Sequence, residues 1–424
     1  MSLAAPSPPL KELTPRQIQW IGGGYLSMFG SLGGQTIFIA LFGSAIRAEF
    51  GLTDGQYGLI YTAATLISAI CLVFAGTLAD KLPAAVLGGG AALGLGVIAL
   101  IMGMAPDVWV LGFALFGLRF FGQGMLVHNA ATAMSRWFFR FRGRALAFSQ
   151  LGLSTGEAIL PVLVALGIAA FGWRSVWMIV AAIAILILAP AIFACFSNPP
   201  DGKKAKAQGL ANPDAADEVN TGARWRRSRV IRDPLFWIVL YGALAAPAIS
   251  TAIFFHQTSL VEDKGWDLLV FAAFFPVMSV TTVTFSLLAG IIIDRIGANR
   301  MLTFALVPMA LACLLIWLGD AYWVIPGFFL LCGMSNGMLG TSFNALWAEL
   351  YGTANLGSIR ALATSAMVLS SAVGPGIVGI FIDLGVTLPD QGPAFAAYFL
   401  SASALFVVSR GRLARRAREI RENI

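Results

Sequence analysis

The sequence predicts an all-α membrane protein of twelve transmembrane helices in two six-helix bundles. Three observations carry that prediction. The chain is 58% hydrophobic and only 12% charged, about half the charge usual in a soluble domain. Its apolar residues fall in long runs such as 173–196 and 302–318, and roughly 17–25 apolar residues are what a bilayer crossing needs. A hexapeptide also recurs: Arg144-Ala-Leu-Ala-Phe-Ser149 returns half a chain later as Arg360-Ala-Leu-Ala-Thr-Ser365.

The expected spans lie near 18–46, 56–78, 83–105, 108–135, 144–171, 173–196, 234–261, 268–293, 299–319, 322–350, 358–384 and 391–409. They are helices, because in lipid only helices and closed barrels satisfy every backbone polar group. A barrel would show short segments of alternating polarity instead. The segment before the first span is polar and Pro-rich, with no charged lead into a cleavable signal, so the first span is expected to stay as an anchor. Cys71, Cys195, Cys313 and Cys332 all fall within spans and read as buried small hydrophobes, without metal-ligand spacing.

The longest polar stretch, 197–233, divides six spans from six, with an interfacial helix expected around 225–229. The expected organisation is a cytoplasmic segment 1–17, a bundle 18–196, a cytoplasmic linker 197–233, a bundle 234–409 and a basic tail 410–424. With an even number of spans both termini share one side, and 24 of the 28 Lys and Arg fall on it. The positive-inside rule makes that side the cytoplasm, in a bacterial-type inner (plasma) membrane. This distribution also accounts for the net charge of +7. Bases scattered over helix ends do not make a nucleic-acid surface.

The repeat extends beyond the hexapeptide. Gly76-Thr-Leu-Ala-Asp80-Lys81 parallels Gly290-Ile-Ile-Ile-Asp294-Arg295, and Gly124-Met-Leu parallels Gly337-Met-Leu. Each pair occupies corresponding places in spans 2–5 and 8–11, in the same order. Arg144 and Arg360 therefore begin corresponding spans. Parallel repeats of this kind are a transporter architecture.

These residues resemble the major facilitator superfamily over nearly the whole chain. Gly76, Leu78, Ala79, Asp80 and Lys81 match its signature between spans 2 and 3; the later basic cluster is replaced by Leu82-Pro83-Ala84-Ala85. The second copy, Asp294-Arg295-Ile-Gly297-Ala-Asn-Arg300, is closer to the pattern. Leu118-Arg119-Phe-Phe-Gly122-Gln123-Gly124 resembles the helix-4 motif. Arg136-Trp-Phe, Arg142-Gly143-Arg144 and Gly172-Trp173-Arg174 are similar to the monocarboxylate and oxalate–formate branch. That branch often carries an arginine in helix 8, where this chain has Phe285-Ser286-Leu287, which argues against simple monocarboxylate transport. The proline–glycine string of drug–proton exchangers is absent from span 5, where Gly156-Glu157-Ala-Ile-Leu-Pro161 stands; Gly374-Pro375-Gly376 lies in span 11 instead.

Ionisable groups inside spans are functional candidates by default. Here they are Arg119, His128, Glu157 and His256. Arg119 and Glu157 lie at similar expected depths, about 18 and 20 Å along their helices at 1.5 Å per residue. They are expected to pair until an anion competes for Arg119 and leaves Glu157 to accept a proton. His128 is placed in the inner half of a cavity. The run Phe254-Phe255-His256-Gln257 reads as a gate or half a substrate site. Tyr25, Gln35, Gln123, Asn336 and Asn344 complete the expected polar lining. Gly76, Asp80, Lys81, Gly290, Asp294, Arg295, Arg144 and Arg360 are assigned to the conformational motifs.

The function expected is symport by a monomeric secondary carrier: a small organic anion moved by alternating access with protons as coupling ion, in contact with the lipid bilayer. No cofactor is expected, since Gly88-Gly89-Gly90 lacks the Lys-Ser/Thr of a phosphate loop. Two histidines and no paired nucleophile argue against an enzyme. An exporter of hydrophobic or cationic compounds, with Glu157 as binding charge, is the alternative within transport. A receptor or assembly factor in a carrier fold is the alternative outside it.

Overall fold

The computed structural model describes residues 14–138, 142–200, 225, 227–352 and 355–422. Every regular element among them is a helix. Eleven helices are long and apolar enough to cross a membrane, and a bent pair, Pro15–Ala40 with Gly43–Phe50, makes the twelfth span. The others are Asp54–Ala75, Ala84–Gly103, Val108–Trp137, Gly143–Phe171, Trp173–Phe196, Pro234–Phe255, Leu268–Ile293, Ala298–Leu318, Val324–Tyr351, Ser358–Asp383 and Pro389–Ile420. Val73, Phe74 and Val408 are each more than 70% exposed, as side chains that face acyl tails should be. Most of the linker lies outside the described residues; a helix at Arg227–Val230 overlaps the region expected to be interfacial.

Three spans depart from their expected bounds. The first bends by 64° between Ala40 and Gly43, and before that it tightens into a 3₁₀ turn at Ser31–Gly34. The seventh stops at Phe255 rather than near 261, because the chain leaves the helix at His256 and restarts at Gln257–Lys264. The twelfth continues past 409, its helix running over Gly392–Glu422. The basic tail stays helical because Leu413 and Ala417 are buried and Arg416 donates to Asp233 at 2.8 Å.

The chain forms two compact units: Met1–Ile39 with Ala64–Ala215, and Ala40–Ala63 with Ala216–Ile424. Small residues set the packing within each. In the first, spans 1 and 5 meet so closely that a Cβ at Gly152 would stand 2.1 Å from Tyr25 O, and one at Gly24 2.2 Å from Ser149 Oγ. In the second, spans 7 and 11 repeat this contact: a Cβ at Gly374 would stand 2.3 Å from Ala248 O. Spans 8 and 10 meet at Gly333 and Gly337, against the Met278 and Thr282 carbonyls. Lipid supplies no hydrophobic force between helices, so close backbone approach and dispersion hold such pairs together.

Spans 1 and 4 also cross closely: a Cβ on Gly34 would lie 2.1 Å from Leu118 O, and one on Gly122 2.7 Å from Gly34 Cα. Gly122→Val should therefore lower the melting temperature in detergent, at a cost of about 1–3 kcal/mol for overpacking. Gly90→Ala, with nothing within 4 Å of its Cβ, should leave the melting temperature unchanged or raise it.

Candidate functional site

The break in span 1 explains where Arg119 goes. Gln35, at φ −81° and ψ 148°, is extended, so the helical ladder stops there. The Gly34 carbonyl accepts from Arg119 Nη1 at 3.0 Å, and Thr36 Oγ1 accepts from the same nitrogen at 3.4 Å. Span 4 is π-helical over Arg119–Leu126, a wide turn of the kind that recurs at functional sites. Arg119 is 3% exposed. A guanidinium this deep needs acceptors, and the broken helix provides two.

The expected Arg119–Glu157 pair is not formed. Arg119 is directed to the helix break, and Glu157, half-buried on span 5, makes no ion pair or hydrogen bond among the described residues. Gln35 and Gln123 are half-buried near the same crossing. Tyr25, also half-buried, stacks on Phe29 at 6.5 Å.

His128 reaches the signature loop. Its Nε2 lies 3.2 Å from Gly76 O, at the end of span 2. Two neighbours do similar work: Asn129 Nδ2 donates to Ala84 O at 3.1 Å, and Arg136 Nη1 to Ala79 O at 2.7 Å. One stretch of span 4 thus holds the signature loop by three carbonyls. In the second unit Glu349 Oε1 accepts from Ala298 N at 3.2 Å, holding the start of span 9 from span 10. Lys81 and Arg295 are exposed and Gly290 faces open space. The side chains of Asp80, Asp294 and Asn344 lie outside the described residues.

The aromatic pair also divides. Phe254 joins a buried ring cluster with Phe271, Phe275 and Phe329, whose members lie 4.8–6.2 Å apart. Phe255 packs on Tyr57 at 4.9 Å and Tyr61 at 4.4 Å. His256 and Gln257 are almost fully buried, at 2% and 0% exposure. Phe254 is therefore core, and the histidine has both ring nitrogens engaged.

The second unit holds a cavity of about 360 Å³ between spans 7, 10 and 11. Its polar lining is Ser250, Asn336, Thr364 and Arg360, and Phe343 and Trp347 supply aromatic walls. The volume lies within the roughly 300–1,000 Å³ usual for ligand pockets, as does the mix of apolar wall and few polar groups. Asn336 was expected in the lining. Arg360 was not: the repeat assigns it with Arg144 to the conformational motifs. Yet Arg144 is exposed while Arg360 lines the cavity. The missed signal was its neighbourhood, since Asn336 and Trp347 belong to a span that packs against span 11.

Twelve apolar spans, a tandem repeat and a cavity with a cation among its lining residues define a polytopic carrier-type membrane protein. The family model described as Major Facilitator Superfamily matches residues 24–375, and the chain belongs to that superfamily. It is 28% identical over 273 residues to a probable sulfoacetate transporter of Cupriavidus necator, covering 61% of this chain and 60% of that protein. It is 24% identical over 360 residues to a membrane sensor protein of Escherichia coli, covering 81% of this chain and 77% of the sensor. A solved bacterial homologue of the human lysosomal transporter Spinster has the same fold: TM-score 0.70 at 15% identity, over 97% of this chain and 99% of that one.

The role of Arg119 is open to a direct check. Arg119→Met should lower the melting temperature of unliganded protein, because it leaves a buried carbonyl without its donor at a cost of about 1–3 kcal/mol. Arg119→Lys should recover part of the loss. A melting temperature unchanged in Arg119→Met would mean that the guanidinium does not support the helix break.

Proposed function

We propose that this protein is a secondary active transporter that moves a small organic anion, carboxylate- or sulfonate-like, by alternating access with protons as coupling ion. The observation that carries the reading is the cavity in the second unit. Arg360 supplies positive charge, Asn336, Ser250 and Thr364 supply hydrogen bonds, and Phe343 and Trp347 close the apolar side. A guanidinium binds a carboxylate or sulfonate through a fork of parallel N–H bonds, and a cation lining a membrane cavity attracts an anion. The similarity to a sulfoacetate transporter supports the same class of cargo.

Glu157 is the proposed proton acceptor. It sits on an apolar span without an ion-pair partner among the described residues, and because a charge so placed is costly, it marks a functional candidate. The excess of Lys and Arg on the side of the termini supports a cytoplasmic location for both, in a bacterial-type inner membrane. The sensor relative supports one other reading, a receptor that binds the same anion without moving it.

Uptake into proteoliposomes separates these. Labelled sulfonates and carboxylates should enter saturably, with accompanying alkalinisation outside. Arg360→Gln should reduce uptake at least about tenfold, the worth of one charge-assisted hydrogen bond. Glu157→Gln should abolish proton movement while anion counterflow persists. Tight binding without flux would establish the receptor. Flux of hydrophobic cations that depends on Glu157, with no anion movement, would make the protein an exporter.

A further inference from the structure

At the end of the second unit opposite the chain terminus, the segment joining spans 1 and 2 meets the ends of spans 7 and 11. The chain turns through Gly51, at φ 63°, and brings Arg47 back onto Asp54, whose Oδ2 accepts from Arg47 Nη1. The other oxygen of Asp54 accepts from Ser259 Oγ at 2.6 Å and lies 3.1 Å from His256 Nδ1. The far ring nitrogen, His256 Nε2, is 2.9 Å from Pro375 O. Two flanking ties fix the same segment: Thr53 Oγ1 and Gly55 N both donate to Asp383 Oδ2, at 2.7 and 3.1 Å.

Proton counting gives this group a property that its neighbours lack. A carbonyl oxygen can only accept, so Nε2 must carry a hydrogen. An ionised carboxylate can also only accept, so the 3.1 Å contact at Nδ1 needs a second proton between His256 and Asp54. Arg47 on the other oxygen of Asp54 favours the ionised carboxylate. A second proton held on the ring would give both contacts a donor and lock His256, 2% exposed, between a carboxylate and a carbonyl. Without that proton two acceptors would face each other across the contact, with the ring itself buried and Asp54 only partly exposed.

The charged groups around it favour the loaded state. Asp54, Glu262, Asp263 and Asp383 face this end of the unit, and Arg47 is their cationic counterpart, reaching Glu262 at 3.6 Å. Lys264 is drawn off to Asp320. Burial holds the Asp263 carboxyl above the usual carboxylate range, and the charges of Asp54, Glu262 and Asp390 add to this against an opposing bond from the Leu388 backbone. Tyr57 and Tyr61 close the apolar side through Phe255.

We propose that His256 and Asp54 form a proton-binding site whose occupancy fastens the segment 40–63 to spans 7 and 11. With the proton bound, His256 joins three elements: the start of span 2 through Asp54, the end of span 7 in its own backbone, and span 11 through Pro375 O. Without it the first tie fails, and the bond from Ser259 to Asp54 and the ties to Asp383 and Glu262 hold the segment less firmly. The site makes His256 a proton carrier rather than a substrate ligand. Its part in transport rests on the proposed proton coupling, whereas the proton site itself rests on the geometry.

The chain has only two histidines, which makes the test direct. Protein labelled with ¹⁵N in its histidine rings gives two imidazole signatures by NMR in nanodiscs, and His128→Gln assigns them. His256 should show both nitrogens protonated at neutral pH, and Asp54→Asn should convert it to the neutral form with hydrogen on Nε2. Amide exchange across 43–56, compared at one pH, should speed up by about tenfold or more in Asp54→Asn, because local opening becomes easier. A neutral His256 in the wild type, or a ring unaffected by Asp54→Asn, would overturn the site. So would unchanged exchange across 43–56 in a variant whose ring has become neutral. These readouts do not need transport: a protein that moves no anion could still show the imidazolium, and a working proton-coupled carrier with a neutral His256 would lose only this inference.

Discussion

A backbone carbonyl that leaves a helical ladder inside a membrane has no water to bond, and that constraint decides how the chain uses its few polar side chains. Where span 1 breaks at Gln35, Arg119 donates to the Gly34 carbonyl. Where the signature loop turns, His128, Asn129 and Arg136 meet the carbonyls of Gly76, Ala84 and Ala79. Where span 7 ends, His256 meets the carbonyl of Pro375. Residues that look like ligands by composition are largely committed to hydrogen bonds with backbone carbonyls.

This commitment separates structural charge from chemical charge. Arg119 and Arg360 are both arginines on apolar spans, but one supports a broken helix and the other lines a cavity. Glu157 has no such backbone task among the described residues, which fits its proposed role as proton acceptor. The irregular segments are useful in their own right. Breaks and π turns beside close glycine contacts, such as Gly34 against Gly122, are places where a helix can bend without losing its packing.

The sequence shows the spans and the repeat plainly, because both are written in composition and order. It does not show the breaks. Ser31–Gly34 is small and apolar, and nothing local distinguishes it from the glycine run at 22–24 that stays helical. His256 is opaque for another reason: its partners are Asp54 and Pro375, far away in sequence and legible only once the chain is folded. The repeated hexapeptide marks corresponding positions without showing their surroundings. Corresponding positions share ancestry but not neighbours, so Arg144 is exposed while Arg360 meets Asn336 and Trp347 around one cavity.

Anion recognition is proposed to belong to Arg360 and not to Arg119. Calorimetric titration of purified protein with a small sulfonate tests it most directly, comparing wild type with Arg360→Gln and Arg119→Lys. Saturable binding in wild type and Arg119→Lys, weakened at least about tenfold in Arg360→Gln, is the result this account predicts. Unchanged affinity in Arg360→Gln, with binding lost in a folded Arg119→Lys protein, would contradict it and return recognition to the crossing of spans 1 and 4.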